Sequence, residues 1–196
     1  MKLYFTPRTR STRPRWMLEE LGVPYEIVTV DLAAKENREP GYLRIHPLGE
    51  VPALVDGDVT VFESIAICMY LADRCPERGL APPVSSPLRA LYYQWLLFCP
   101  SRIEPAISRW SQHSGEVPEA ERDKARARFD EAAEVLTQAL SVGEHMLGAS
   151  FSTVDVIVGS NLRWARSVGL LEGRDALSGY VDRLLARPAA RRVFGD

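Results

Sequence analysis

The spacing of hydrophobic positions changes near residue 76. Before it, short alternating runs trade places with helical stretches; after it, the apolar repeats fall at helical spacing. Lys2–Phe5 is a short apolar run that predicts a strand, and Trp16-Met17-Leu18-Glu19-Glu20-Leu21 predicts a helix that Gly22 and Pro24 stop. Tyr25–Val30 alternates and is rich in β-branched residues, so it reads as a second strand. A helix between two strands predicts a parallel pair joined by a right-handed crossover. Asp31–His46 is polar and irregular, with room for a turn or two of helix. Ala53-Leu54-Val55 and Val59–Phe62 flank Asp56-Gly57-Asp58, a hairpin pattern. Ser64 opens a helix running to about Cys75.

Pro76–Pro87 holds four prolines and two serines and reads as a linker. Beyond it, helices are predicted over Leu88–Ser114 with a bend at Pro100 or Pro105, then over Pro118–Leu140, Ser152–Val168, Asp175–Arg187 and Pro188–Phe194. The expected organisation is an α/β domain at 1–77 with a mixed four-stranded sheet, a linker at 78–87, and an all-α bundle at 88–196. Composition adds little to this: 46% hydrophobic and 26% charged residues in 196 is ordinary for a globular protein. A net charge of −2 points away from nucleic acid and anionic membranes, and no apolar run is long enough to span a bilayer. Three cysteines without CxxC spacing suit a reducing, cytoplasmic setting. His46, His113 and His145 are too scattered to suggest a metal site.

The informative chemistry lies in His46-Pro47-Leu48-Gly49-Glu50-Val51-Pro52-Ala53-Leu54 and Phe62-Glu63-Ser64-Ile65-Ala66-Ile67. Taken singly, Val51-Pro52 reads as a turn entering a strand and Ser64 as a helix N-cap. Taken together, they offer more. A cis Val51-Pro52 bond would turn the Val51 N–H and C=O outward, where an extended peptide can pair with them. The helix start at Ser64 offers amides and a hydroxyl to a carboxylate, and the Glu63 carboxylate can accept from an ammonium group. A peptide carrying an α-amino and an α-carboxylate group at one end satisfies all three.

These motifs resemble the cytosolic glutathione S-transferases of bacterial type, as do Lys2-Leu3-Tyr4-Phe5, Arg13-Pro14-Arg15 and Leu18–Glu26 upstream. Downstream, Phe151-Ser152-Thr153-Val154-Asp155 resembles that family's N-capping box and hydrophobic staple. The resemblance implies a thioredoxin-like N-terminal domain and a helical C-terminal domain. It implies glutathione as cosubstrate, no other cofactor or metal, a small apolar electrophile as second substrate, and a homodimer. Glutathione would be bound by Val51, Pro52, Glu63, Ser64 and the loop lysine Lys35. His46 and Glu50 depart from the family's usual residues at their positions.

In the family a Tyr, Ser or Cys between the first strand and first helix activates the glutathione thiol. Here the Cys-Ser pair of bacterial relatives reads Arg10-Ser11, so Ser11 is the expected catalytic hydroxyl and Thr9 the alternative; a helix-capping role for Ser11 and activation by backbone amides stay open. The family's second-substrate pocket falls at Arg102, Arg109 and Trp110, although tryptophans of a helical bundle commonly belong to its core. Two other functions suit the same fold, a glutathione-dependent disulfide reductase or peroxidase and a non-catalytic interaction protein. The retained Val51-Pro52 and Glu63-Ser64 weigh against the second.

Overall fold

The computed structural model describes residues 1–112 and 117–195; His113 and Ser114, the end of the expected Leu88–Ser114 helix, lie outside them. It divides into two compact units, 1–81 together with the segment from Pro188 onward, and 82–187.

The first unit is built on a four-stranded sheet in the order β2-β1-β3-β4, with β1 Lys2–Phe5, β2 Glu26–Thr29, β3 Ala53–Asp56 and β4 Val59–Phe62. β1 pairs parallel with β2 (Leu3 opposite Ile27) and antiparallel with β3 (Tyr4 opposite Ala53). β3 pairs antiparallel with β4 (Ala53 opposite Phe62). Gly57 takes the positive φ of 60° that the tight hairpin needs at its first central position. Helix α1 (Thr12–Leu21) makes the crossover and ends on Gly22 in the left-handed region, whose N–H caps the Leu18 carbonyl. A three-residue 3-10 turn (Glu36–Arg38) and the short helix α2 (Pro40–Leu43) occupy the irregular segment, and α3 (Ser64–Arg74) follows the hairpin. Leu3, Trp16, Met17, Leu18, Leu21, Leu54, Ile67 and Leu71 are fully buried and form the core.

The second unit contains α4 (Leu88–Phe98), a wider π-type turn over Cys99–Ile103, α5 (Glu104–Ser111), α6 (Glu119–Leu140), α7 (Thr153–Ser167) and α8 (Asp175–Leu185). The bend falls at Pro100, where the missing N–H breaks the helical ladder. Ser152 and Asp155 form the reciprocal cap at the start of α7. The buried Asp155 carboxylate also accepts from the Met146 N–H at 2.9 Å and the Tyr180 hydroxyl at 2.7 Å.

The last helix, α9 (Pro188–Phe194), departs from expectation. It was expected to finish the bundle, but it belongs with the first unit and packs on α1. Its sequence is too short to reveal a partner, and the cause is in its side chains. Phe194 meets Trp16 edge-on, with centroids 5.5 Å apart. The Arg192 guanidinium pairs with the Glu19 carboxylate, and Arg15 donates to the Arg192 carbonyl at 3.1 Å. Burial by itself would raise the Glu19 pKa, but hydrogen bonds from Tyr25 and Arg192 and the charges of Arg192 and Arg15 outweigh it and hold it below the ordinary 4.5.

Two predictions follow from these contacts. Asp155→Ala strands four buried donors, the Met146 and Ser152 N–H groups and the Ser152 and Tyr180 hydroxyls, so it should cost about 3 kcal/mol or more, read as a lower urea midpoint at unchanged slope. Because the folded-state pKa of Glu19 is depressed, its contribution is present above about 4.5 and is lost as pH falls through the folded value. Hydrogen-exchange protection over residues 188–194 should therefore fall selectively on acidification. Glu19→Gln should show that loss already at neutral pH.

Candidate functional site

The β1–β3–β4 register sets the site. Tyr4, Ala53 and Phe62 lie side by side across three strands, so the loop after β1, the residues before β3 and those after β4 emerge at one end of the sheet. These are Thr6–Ser11, Val51-Pro52 and Glu63-Ser64.

Val51-Pro52 is a cis bond. The Val51 residue precedes the reach of both neighbouring strands, and its backbone makes no hydrogen bond among the described residues. The loop that presents it is tied down at three points. Asn37 donates to the Gly49 carbonyl at 2.6 Å, Arg38 to the Leu48 carbonyl at 3.0 Å, and the Tyr42 hydroxyl to the Glu50 carbonyl at 2.5 Å. Burial, and secondarily Tyr4, pushes the Tyr42 pKa up to about 12, which keeps that hydroxyl a donor. His46 is buried, its ring 4.8 Å from that of Phe62, and its backbone N–H and C=O close the turn with Tyr42 and Gly49.

At α3, Glu63 occupies the N-cap position with φ 73°, ψ 113°. A non-glycine residue there costs on the order of 1–3 kcal/mol, and such strain concentrates at functional positions. No side chain caps this helix, which leaves its first-turn amides and positive end for an anion. Glu63 is exposed with no partner for its carboxylate among the described residues. Ser64 is buried beneath it and accepts from the Arg13 guanidinium at 3.2 Å. Lys35, also at positive φ (61°), is exposed and has no side-chain partner among the described residues.

Ser11 and Thr9 form one unit. Their hydroxyl oxygens are 2.8 Å apart, Thr9 Oγ1 lies 2.7 Å from the Thr6 carbonyl, and Thr9 Oγ1 accepts from the Ser11 N–H at 3.2 Å. The Ser11 Oγ accepts from the Thr6 N–H at 3.4 Å. Ser11 is 0% exposed and Thr9 is half-buried, so Thr9 is the member nearer the surface. Ser11 occupies the N-cap position of α1 in helical φ/ψ and makes no side-chain cap bond. The backbone amides of Thr12 and Arg13 are already given to the carbonyls of Thr9 and Arg10.

In the second unit, Arg109 pairs with Glu121 and Gln112, which ties α5 to α6 and to its own end. The Trp110 indole donates to the Val168 carbonyl at 3.0 Å, with the guanidinium groups of Arg122 and Arg126 5.0 and 5.8 Å from its ring. Both side chains thus have polar partners within the helical unit. Arg102 is exposed on the π-type turn and has no partner among the described residues.

Arg13, which the resemblance carried only as part of Arg13-Pro14-Arg15, is buried. The signal was present: Arg13, Met17 and Leu21 share one helical face. Nothing in the sequence marked Asn37 or Tyr42 as supports of the Val51 loop. Gly49 is part of the same support, at φ 60°, where an added Cβ would come 2.5 Å from the Asn37 carbonyl oxygen. Gly49→Ala should lower the urea midpoint by more than Gly57→Ala. Both pay the left-handed penalty of about 1–2 kcal/mol, but Gly57 has open space around its Cβ.

Comparison with known proteins agrees with this geometry. Residues 1–73 match the glutathione S-transferase N-terminal domain, and residues 119–183 match the glutathione S-transferase C-terminal domain. Glutathione S-transferase GstA of Escherichia coli O157:H7 is 32% identical over 192 residues, 96% of this chain and 94% of that protein. A ternary complex of BphK, a bacterial GST, superposes with a TM-score of 0.88 at 29% identity, covering 100% of this chain and 98% of the other. A sphingomonad glutathione S-transferase complexed with glutathione superposes at 0.87 with 31% identity, covering 100% and 98%. With a full-length relative at this identity and both halves matched, the chain belongs to the glutathione S-transferase family, among its bacterial-type members.

Proposed function

We propose that the protein conjugates the thiolate of glutathione to small hydrophobic electrophiles, and that Thr9, backed by Ser11, stabilises the thiolate. The observation that carries the reading is the unpaired Val51 backbone at the same end of the sheet as the open first turn of α3. Glutathione is an extended peptide. Its cysteinyl backbone pairs with Val51 beside Pro52, its γ-glutamyl ammonium goes to Glu63, and its α-carboxylate goes to Ser64 and the α3 amides. Lys35 takes the glycyl carboxylate.

The hydroxyl contacts support this division of the thiol roles. Thr9 Oγ1 lies within donating reach of both the Thr6 carbonyl and Ser11 Oγ; with glutathione bound, Thr9 would turn its proton to the sulfur, and Ser11 would turn its own to Thr9 Oγ1. This orders the chain Ser11–Thr9–sulfur. A free thiol titrates near pH 8.5; a hydroxyl donor and the positive end of α1 favour its thiolate. The thiol proton leaves to solvent, the sulfur lone pair forms the S–C bond, and the electrophile's leaving group departs with its electron pair. The sulfur thus contacts Thr9, and Ser11 positions it.

For the electrophile, Arg102 is the candidate of the helical unit with a side chain free to act. Exposed Leu88, Leu91 and Leu97 on α4 support a homodimer, and three free, buried cysteines support a cytoplasmic setting. Glutathione is proposed as cosubstrate with no further cofactor, in a detoxifying role.

Ultraviolet titration of the bound thiolate, alongside conjugation rates with an aryl halide, tests this reading. Losing one hydrogen bond to a charged acceptor costs about 1.5–3 kcal/mol, so Thr9→Val should raise the thiol pKa by about 1 to 2 and slow conjugation near neutrality. Much of that rate should return at high pH. Ser11→Ala should act in the same direction and more weakly. An unchanged thiol pKa in Thr9→Val would sink the assignment, and absence of any conjugation by the parent protein would sink the function.

A further inference from the structure

A guanidinium has five donors and no acceptor. In the contact between Arg13 and Ser64, the Ser64 oxygen must therefore accept, at 3.2 Å. That fixes which half of the hydroxyl is spent. The Ser64 side chain has no other hydrogen bond among the described residues, so its single proton remains to be donated. Both residues are more than nine-tenths buried, Arg13 at 3% and Ser64 at 5% exposure. A hydroxyl in that setting cannot freely turn to water.

Arg13 lies under the first turn of α3. Its charge also reaches Cys68, one turn beyond Ser64; burial pushes the Cys68 thiol pKa up and Arg13 acts against that rise. A cation under the N-terminal turn adds to the positive end of the helix dipole. Donation from a charged group also polarises the hydroxyl it reaches, which makes that hydroxyl a stronger donor to the next acceptor.

We infer that Arg13 is a positioning residue for glutathione: it holds the Ser64 oxygen as an acceptor, so that the Ser64 proton points to the γ-glutamyl carboxylate and binds it more strongly. This rests on the reading of Ser64 as the carboxylate's donor. Arg13 acts through Ser64 and on one end of the ligand, and a general stabilising role would do neither.

A double-mutant cycle on the full chain tests it, with binding of glutathione and of cysteinylglycine, which lacks the γ-glutamyl group, measured by calorimetry. Ser64→Ala should weaken glutathione binding about tenfold or more. Arg13→Gln should weaken it by a similar factor in the parent and by little in the Ser64→Ala background. Neither change should alter the affinity for cysteinylglycine. Arg13→Lys keeps a buried cation should Arg13→Gln fail to fold, and should give a smaller loss with the same dependence on Ser64. Equal losses with and without the Ser64 hydroxyl, or an equal loss for cysteinylglycine, would overturn the inference and leave the carboxylate site standing. No loss in Ser64→Ala itself would overturn both.

Discussion

The first unit depends on the register of β1. This four-residue strand is central: it holds β2 on one side and β3 on the other. The row Tyr4–Ala53–Phe62 decides which residues leave the sheet together. A slip of one residue would send every alternate side chain to the other face. Leu3 and Leu54, both fully buried, forbid that slip. The apolar core thus fixes the relative positions of three polar segments that are far apart in sequence. The chemistry inherits its precision from packing that takes no part in it.

The polar groups at that end of the sheet follow from what each can still donate or accept. Loop carbonyls at Leu48, Gly49 and Glu50 are taken by Arg38, Asn37 and Tyr42, and the amides at the start of α1 are taken by its own loop. Among the described residues, the groups left over there include the Val51 backbone, the first-turn amides of α3, the Glu63 carboxylate and the Ser64 proton. They form an alternating set of donors and acceptors. That pattern suits a zwitterionic peptide end and would suit a simple anion poorly, since Glu63 would repel it.

Local patterning made the strands, the hairpin and most helices legible, because period and turn chemistry act within a few residues. The Asp56–Val59 hairpin and the Ser152–Asp155 cap are of this kind. Val51, Glu63 and Ser64, which the register brings to one end of the sheet, could be grouped from sequence only because their residue types suit one proposed ligand. What the sequence hid depends on distant partners. α9 reads like any short helix, and its docking on α1 needs Glu19 and Trp16, more than 170 positions away. Trp110 and Arg109 looked free to meet a ligand until Val168, Arg122 and Glu121 took up their polar and cationic contacts. Ser11 had the right residue type for the proposed sulfur contact, but its burial, invisible in sequence, leaves Thr9 the member of the pair nearer the surface.

The same accounting separates conjugation from thiol–disulfide exchange by a protein cysteine. Exchange of that kind needs an accessible, low-pKa thiolate. The loop after β1 contains no cysteine, and Cys68, Cys75 and Cys99 are all buried. Burial pushes the Cys68 thiol well above its ordinary pKa even with Arg13 nearby, so it stays protonated and out of reach. A hydroxyl at Thr9 can lower the pKa of a bound thiol, but it cannot form a disulfide with it. The sulfur chemistry is thereby left to the ligand. A thiolate stabilised by a neutral donor keeps most of its nucleophilicity, whereas a full positive charge in contact would lower both its pKa and its reactivity. In the proposed reading a β-branched Thr9, stiff at χ1 and braced from behind by Ser11, would keep its oxygen in place and need only turn its proton from the Thr6 carbonyl to the sulfur.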